Sequence, residues 1–263
     1  MKGRVLIIAG SDSGGGAGLQ ADLKTVTALG VYGATAVTAI TVQDTQKVHA
    51  VHPVPPEIIR SQIDVVLRDI GADVIKIGMI GDRTSGEAIL EGLASFPDIP
   101  LVLDPVLVAT SGDSLGDEGV KDLILERFLP HTLVVTPNLP ELVALTGREI
   151  LADEDIEAAA KSLVLQGAGA VLAKGGHRPG AIVTDLLVTA EGVRTFQNPR
   201  LETRNTHGTG CTLASAVAAG IAQGLALEEA TERAIAYVQK AIRTAPGFGR
   251  GHGPLGHAHP LTD

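Results

Sequence analysis

Short runs of β-branched and leucine-rich sequence alternate with helix-length stretches through most of this chain, and no other feature restricts the fold so strongly. The runs are Val5 to Ala9, Ala34 to Val42, Val74 to Ile80, Leu101 to Leu103, Leu133 to Thr136, Ala170 to Ala173 and Ile182 to Val188. Each is nearly continuous in apolar character, as expected of a strand covered on both faces. Helical spacing lies between them: Leu19, Leu23 and Val26 fall on one face, and Ile59, Ile63, Val66 and Ile70 follow the helix-opening pair Pro55-Pro56. Two further helices are expected, from about 209 to 223 and from about 227 to 244, the second opened by Glu228 and Glu229 where the helix dipole favours acids. Strands separated by helices pair in parallel, because the crossover needs the helix. The expectation is a three-layer α/β/α sandwich around a mostly parallel sheet. The stretch Ala181 to Phe196 breaks the alternation, with two strand-like runs meeting at Ala190-Glu191-Gly192, and reads as an antiparallel hairpin at the sheet edge. Residues 1–263 are expected to form one domain, with an irregular Gly- and His-rich tail from about 246 in which no metal site is expected.

Several function classes are excluded at this point. A net charge of −9 without a Lys/Arg cluster repels nucleic acid, and aromatic residues at 2% with no tryptophan leave nothing on which bases can stack. No stretch approaches the roughly 20 apolar residues of a membrane span, and Met1-Lys2-Gly3-Arg4 runs straight into a strand without a signal peptide. Cys211 is the single cysteine, so no internal disulfide forms and a reducing cytoplasm suits the chain.

Ligands of open parallel sheets bind beyond the carboxyl ends of the strands, so the residues that follow each run carry the chemistry. After the first run comes Ala9-Gly10-Ser11-Asp12-Ser13-Gly14-Gly15-Gly16-Ala17-Gly18, a glycine-rich turn into a helix that lets a ligand approach the backbone. It fits neither the dinucleotide fingerprint nor the P-loop. Asp22, one turn on, faces either ligand or solvent. Gln43 offers a donor and an acceptor to a heterocycle edge, or is a surface amide. Met79 suits a pocket wall or the core. Asp104, Asn138 and Glu141 form an oxygen-rich group suited to Mg2+, although Asn138 and Glu141 equally fit a helix capping box. Lys174 stands beside Gly175-Gly176 and suits a phosphate. The stretch from Asn205 to Thr212 leads into a helix with small residues, so the amides of Gly208, Thr209, Gly210 and Cys211 converge as an anion hole for a migrating phosphoryl group. The helix dipole at Cys211 is expected to lower the thiol pKa, making it a candidate base; the alternative is an inert buried cysteine.

Taken in order, the turn from Ala9 to Asp22, Asp104-Pro105-Val106, Thr136-Pro137-Asn138 with Glu141, Lys174-Gly175-Gly176-His177 and His207-Gly208-Thr209-Gly210-Cys211-Thr212 closely resemble the hydroxymethylpyrimidine/phosphomethylpyrimidine kinases, a branch of the ribokinase-like superfamily. The resemblance runs from about residue 4 to the His-rich tail. It implies a ribokinase-like fold, ATP and Mg2+, and transfer to 4-amino-5-hydroxymethyl-2-methylpyrimidine and then to its monophosphate. It also implies that Asp22 and Gln43 hold the ring with Gly10, Met79 and Val106 around it. Asp104 and Glu141 would organise Mg2+, while Asn138, Lys174, Thr206, His207 and Gly208 would meet ATP. A homodimer is the expected assembly. The closest rival is pyridoxal kinase, against which Val108-Ala109-Thr110-Ser111-Gly112-Asp113 counts because it offers no second cysteine. A metabolite-sensing module would not need Lys174, Asp104 and Cys211 together, and a dinucleotide oxidoreductase fails on motif spacing.

Overall fold

A computed structural model describes residues 1–107 and 118–261. In chain order the elements are β1 (Arg4–Asp12), α1 (Gly18–Ala28), β2 (Tyr32–Gln43), β3 (Val48–Pro53), α2 (Pro56–Asp69), β4 (Val74–Ile77), α3 (Arg83–Leu93), β5 (Leu101–Leu103), α4 (Glu118–Leu123), β6 (Val134–Val135), α5 (Leu139–Thr146), α6 (Asp153–Leu165), β7 (Ala170–Ala173), β8 (Ile182–Thr189), β9 (Val193–Pro199), α7 (Thr209–Ala222) and α8 (Leu227–Arg243). The strands form one nine-stranded sheet in the order β3-β2-β1-β4-β5-β6-β7-β8-β9. Pairing is parallel from β2 through β1, β4, β5 and β6 to β7.

Alternating side chains of β1 feed two separate cores, which is why its sequence lacks a polar face. Leu6 and Ile8 join Ile59 and Ile63 of α2, Ile89 of α3, Leu142 of α5 and Leu163 of α6. Val5 and Ile7 join Leu19 and Val26 of α1, Val217 of α7 and Ala234 of α8 on the opposite face. Each fully buried aliphatic side chain contributes about 1.5–3 kcal/mol relative to exposure. Helix α2 starts as expected, with proline in its first turn, and buries Ile59, Ile63 and Leu67 at four-residue spacing. Within that second layer α8 comes close against α7 because Gly220 has no side chain: a Cβ there would lie 2.6 Å from Ala230 Cβ.

The expected hairpin is present, β8 and β9 pairing antiparallel with Thr189 N bonded to Gly192 O across the turn. The opposite edge carries a second antiparallel strand, β3, which pairs with β2 and went unnoticed in the sequence because all but its first residue are solvent-exposed. The run Val74 to Ile80 stops being a strand at Ile77, where Gly78 N bonds Ile8 O and the chain leaves the sheet. The Gly- and His-rich tail is irregular, yet it is docked: Gly253 O accepts from His207 N, Thr45 O accepts from His252 N, and Leu255, His257 and His259 are buried. The stretch Val108 to Asp113 lies outside the described residues. Among those described, no helix is long and apolar enough to cross a membrane.

Because β1, β4, β5, β6 and β7 run parallel, their carboxyl ends open on one edge of the sheet, and Asp12, Met79, Asp104, Asn138 and Lys174 arrive there together.

Candidate active site

At that edge lies one cavity of about 630 Å³, with glycine-rich β1–α1 turn, strand ends and the start of α7 in its wall. Its centre is an ionic cluster. Lys174 Nζ lies 2.9 Å from Asp104 Oδ1 and 3.8 Å from Glu141 Oε2. Thr136 Oγ1 donates to the same Asp104 oxygen at 3.1 Å. The lysine is therefore shared between two carboxylates. Of the alternatives for Asn138 and Glu141 the capping box is present: Glu141 N donates to Asn138 Oδ1 and Asn138 N to Glu141 Oε2, opening α5 at the cavity wall.

The start of α7 reaches the same cluster. A Cβ on Gly210 would sit 3.1 Å from Lys174 Nζ and 3.8 Å from Asp104 Oδ2. Thr209 N is bonded to Thr206 O, and Thr212 N opens the helical ladder on Gly208 O. Among the described residues, of the four amides from 208 to 211 only that of Thr209 has a backbone acceptor, so the expected hole of four residues narrows to three, Gly208, Gly210 and Cys211. Gly208 has φ +81°, and a Cβ there would overlap Gly16 O. Glycine is required at 208 for both reasons.

Gly10, Gln43, Met79 and Val106 line the same cavity. Gly10 leaves room for the Met79 sulfur, which a Cβ would meet at 2.9 Å. Asp22 is the clear correction. It does not line the cavity; it is wholly buried beneath it, bonded to Lys76 Nζ at 2.8 Å and Ser215 Oγ at 2.7 Å. His207, expected beside ATP, lines the cavity but turns its ring to Asp12 Oδ2 (2.9 Å) and Gln43 (3.3 Å) instead. Thr206 also lines it, its hydroxyl 3.4 Å from His252 Nδ1.

Charge states follow from these contacts. Burial raises the Glu141 carboxyl to about 7 against the pull of Lys174, with Asp104 pushing the same way as burial. Burial also opposes ionisation of Asp104, but Lys174 and then Lys76 hold it below the ordinary carboxylate range. Lys174 is held firmly charged despite its burial by Asp104 and Glu141. Cys211 behaves contrary to expectation: burial pushes its thiol up to about 12, Asp22 and Asp104 add to the push, and Lys76 offsets it only in part. Desolvation outweighs the helix dipole here. The two carboxylates with Lys174 between them fit a divalent cation that takes one or two protein oxygens and completes its shell with phosphate and water. Among the described residues, no group of three acidic, His or Cys side chains could cage a metal without such help.

Other wall residues carried little signal in the sequence. Asp12 holds the glycine turn shut, accepting from the amides of Gly14 (2.8 Å), Gly16 (3.0 Å) and Ala17 (2.8 Å). An aspartate leading into a glycine run is the pattern that could have revealed it. Leu213, Val238 and Ile242 add an apolar lining drawn from α7 and α8. Asp185 of β8 accepts from Gly175 N at 2.8 Å and fixes the turn after Lys174.

The chain as a whole is similar to known proteins. The family profile described as Phosphomethylpyrimidine kinase matches residues 12–256. The hydroxymethylpyrimidine/phosphomethylpyrimidine kinase of Rhizobium meliloti is 48% identical over 257 residues, covering 97% of this chain and 96% of that protein. The thiamine biosynthesis bifunctional protein ThiED of Geobacter sulfurreducens is 47% identical over 256 residues; the chain spans 52% of its length. Among solved structures, the phosphomethylpyrimidine kinase of Clostridium difficile superposes with a TM-score of 0.82 at 36% identity, covering 92% of this chain and 100% of that one. The Bacillus subtilis pyridoxal kinase in its ADP complex gives 0.92 at 32% identity and covers 100% of both. Two kinds of vitamin kinase thus share the ribokinase-like fold seen here, but the profile and the curated relatives agree on one of them, and the chain belongs to the phosphomethylpyrimidine kinase family.

Proposed function

We propose that this chain transfers the γ-phosphoryl group of ATP to the hydroxyl of 4-amino-5-hydroxymethyl-2-methylpyrimidine, and then a second one to the monophosphate. The observation that carries this reading is the meeting of Lys174, Asp104 and Glu141 with the unpaired amides of Gly208, Gly210 and Cys211 in one cavity. The nucleotide half is the apolar end near Leu213, Val238 and Ile242, and the pyrimidine half is formed by Gly10, Gln43, Met79 and Val106.

Phosphoryl transfer passes through a loose transition state, so the protein's part is alignment and charge neutralisation. Lys174 and the amides of Gly208, Gly210 and Cys211 offset charge on the equatorial oxygens. Asp104 and Glu141 would hold Mg2+, which when bound supplies further positive charge against the β- and γ-phosphates. Asn138, at the start of α5, lies on the same side and keeps Glu141 oriented. Cys211 contributes its amide rather than a thiolate, and the hydroxyl proton leaves through the phosphoryl oxygens. Thr206, His207 and Thr209 line the cavity at the turn assigned to the nucleotide phosphates. We place the protein in the cytoplasm, where ATP is supplied and the Cys211 thiol stays reduced, and assign it a homodimeric state and a single domain over 1–263. A coupled ADP-release assay with the aminopyrimidine, its monophosphate and pyridoxal tests the proposal. Activity on both pyrimidines exceeding that on pyridoxal is expected; turnover of pyridoxal alone overturns it.

A further inference from the structure

The cavity wall contains a set of hydrogen bonds that can be satisfied in only one way. Asp12 is a carboxylate: burial works against its charge, but His207 and the amides of Ala17 and Gly14 hold it ionised. An ionised carboxylate only accepts. His207 Nε2, 2.9 Å from Asp12 Oδ2, must therefore carry its hydrogen and donate it there, whether the ring is neutral or charged. That nitrogen has no lone pair left to accept from the Gln43 amide 3.3 Å away. On the other side of Gln43, Thr41 Oγ1 lies 3.3 Å from the amide and gives its one proton to Ser11 O at 2.9 Å, leaving Thr41 able only to accept. The two ends of a primary amide have the same shape and are told apart by their partners alone. The partners here admit one orientation, with Gln43 Oε1 toward His207 and its NH2 toward Thr41.

An amide held at both sides keeps its leading edge free, with one oxygen lone pair and one N–H directed forward. That edge pairs with an amine beside a bare ring nitrogen and rejects a carbonyl beside a ring N–H. We infer that Asp12, His207 and Thr41 are positioning residues that lock the orientation of Gln43, and that this lock selects an aminopyrimidine over its oxo counterpart. The inference rests on the proposal that Gln43 faces the pyrimidine.

The test is the ratio of kcat/KM for 4-amino-5-hydroxymethyl-2-methylpyrimidine to that for the 4-oxo analogue. It is measured on the full chain as wild type, Thr41→Val, His207→Met and Gln43→Ala. The ratio cancels any general loss of folded protein or turnover. Wild type is expected to favour the amine by about a hundredfold or more. Thr41→Val and His207→Met each lower the ratio by roughly tenfold or more, partly through a gain on the oxo compound. Thr41→Val alone decides the matter if His207→Met does not fold. A ratio within about twofold of wild type in the positioning variants, with collapse in Gln43→Ala, overturns the lock while leaving the pyrimidine reading intact. A ratio unchanged in Gln43→Ala overturns both the lock and the contact of Gln43 with the ring.

Discussion

Lys76 and Asp22 form an ion pair of 2.8 Å in which neither side chain has any exposed surface, directly beneath the cavity. Burial alone would discharge Lys76, but Asp22 and, more weakly, Asp104 hold it charged. Removing one partner leaves a buried charge uncompensated, at a cost of about 3–5 kcal/mol. Asp22→Ala is therefore expected to lower the urea midpoint sharply while leaving the pyrimidine KM of the folded fraction nearly unchanged. The pair Asp22→Leu with Lys76→Met should be better tolerated than either single change. A large KM effect in a fully stable Asp22→Ala variant would return Asp22 to the ligand.

Glu141 predicts a pH dependence of metal use. Its carboxyl stays protonated up to about 7 in the folded protein, whereas in the unfolded chain it ionises near its ordinary value. The unfolded state therefore binds fewer protons between those limits, and this group's contribution to stability falls as pH rises through them. Mg2+ needs the ionised form, so its apparent affinity should rise by up to about tenfold per pH unit below 7 and level off above. Glu141→Gln keeps the capping box and should flatten the profile. Mg2+ activation curves between about pH 5.5 and 8.5 check both statements.

The thiol of Cys211, at about 12, is almost wholly protonated at neutral pH. Its alkylation by iodoacetamide should be slower than that of free cysteine by roughly a thousandfold and should climb about tenfold per pH unit to beyond pH 9. Mass spectrometry of the modified peptide gives the rate directly. A plateau near neutrality would restore the sulfur as a base.

His257 is held neutral by burial, which takes its pKa down to about 4, with Lys24 adding to the effect. On acidification the unfolded chain takes up the proton first, so stability is lost as pH falls from the ordinary histidine range toward 4. The loss amounts to about 2–3 kcal/mol. Its ring nitrogen lies 3.0 Å from Thr212 Oγ1, in the first turn of α7. The thermal midpoint of wild type should drop between pH 7 and pH 5 by more than that of His257→Gln.

The parallel strands were legible because burial on both faces leaves an unbroken apolar run, as in Val5 to Ile8. Strand β3 was not, because an exposed edge strand such as Val48–Pro53 needs no apolar pattern. The turn at Gly208 was legible for a backbone reason, its glycine having no substitute. Asp22 was misread because its partners stand 54 and 193 positions away, beyond any local pattern. The dipole at Cys211 can be read from the helix start, but the desolvation that overrides it belongs to the packed molecule. The docking of the tail was not legible because its partners, Thr45, His207, Thr212 and Tyr237, are distant in sequence and part of it runs through backbone groups such as Gly253 O.

That hydrogen bond from His207 N to Gly253 O has an outcome for biosynthesis. The turn at His207 and Gly208 is pinned by a segment translated after every strand and helix named above. A nascent chain can complete its sheet before that segment is made, whereas the turn gains this support only once residues 250–253 have settled against Thr45 and His207.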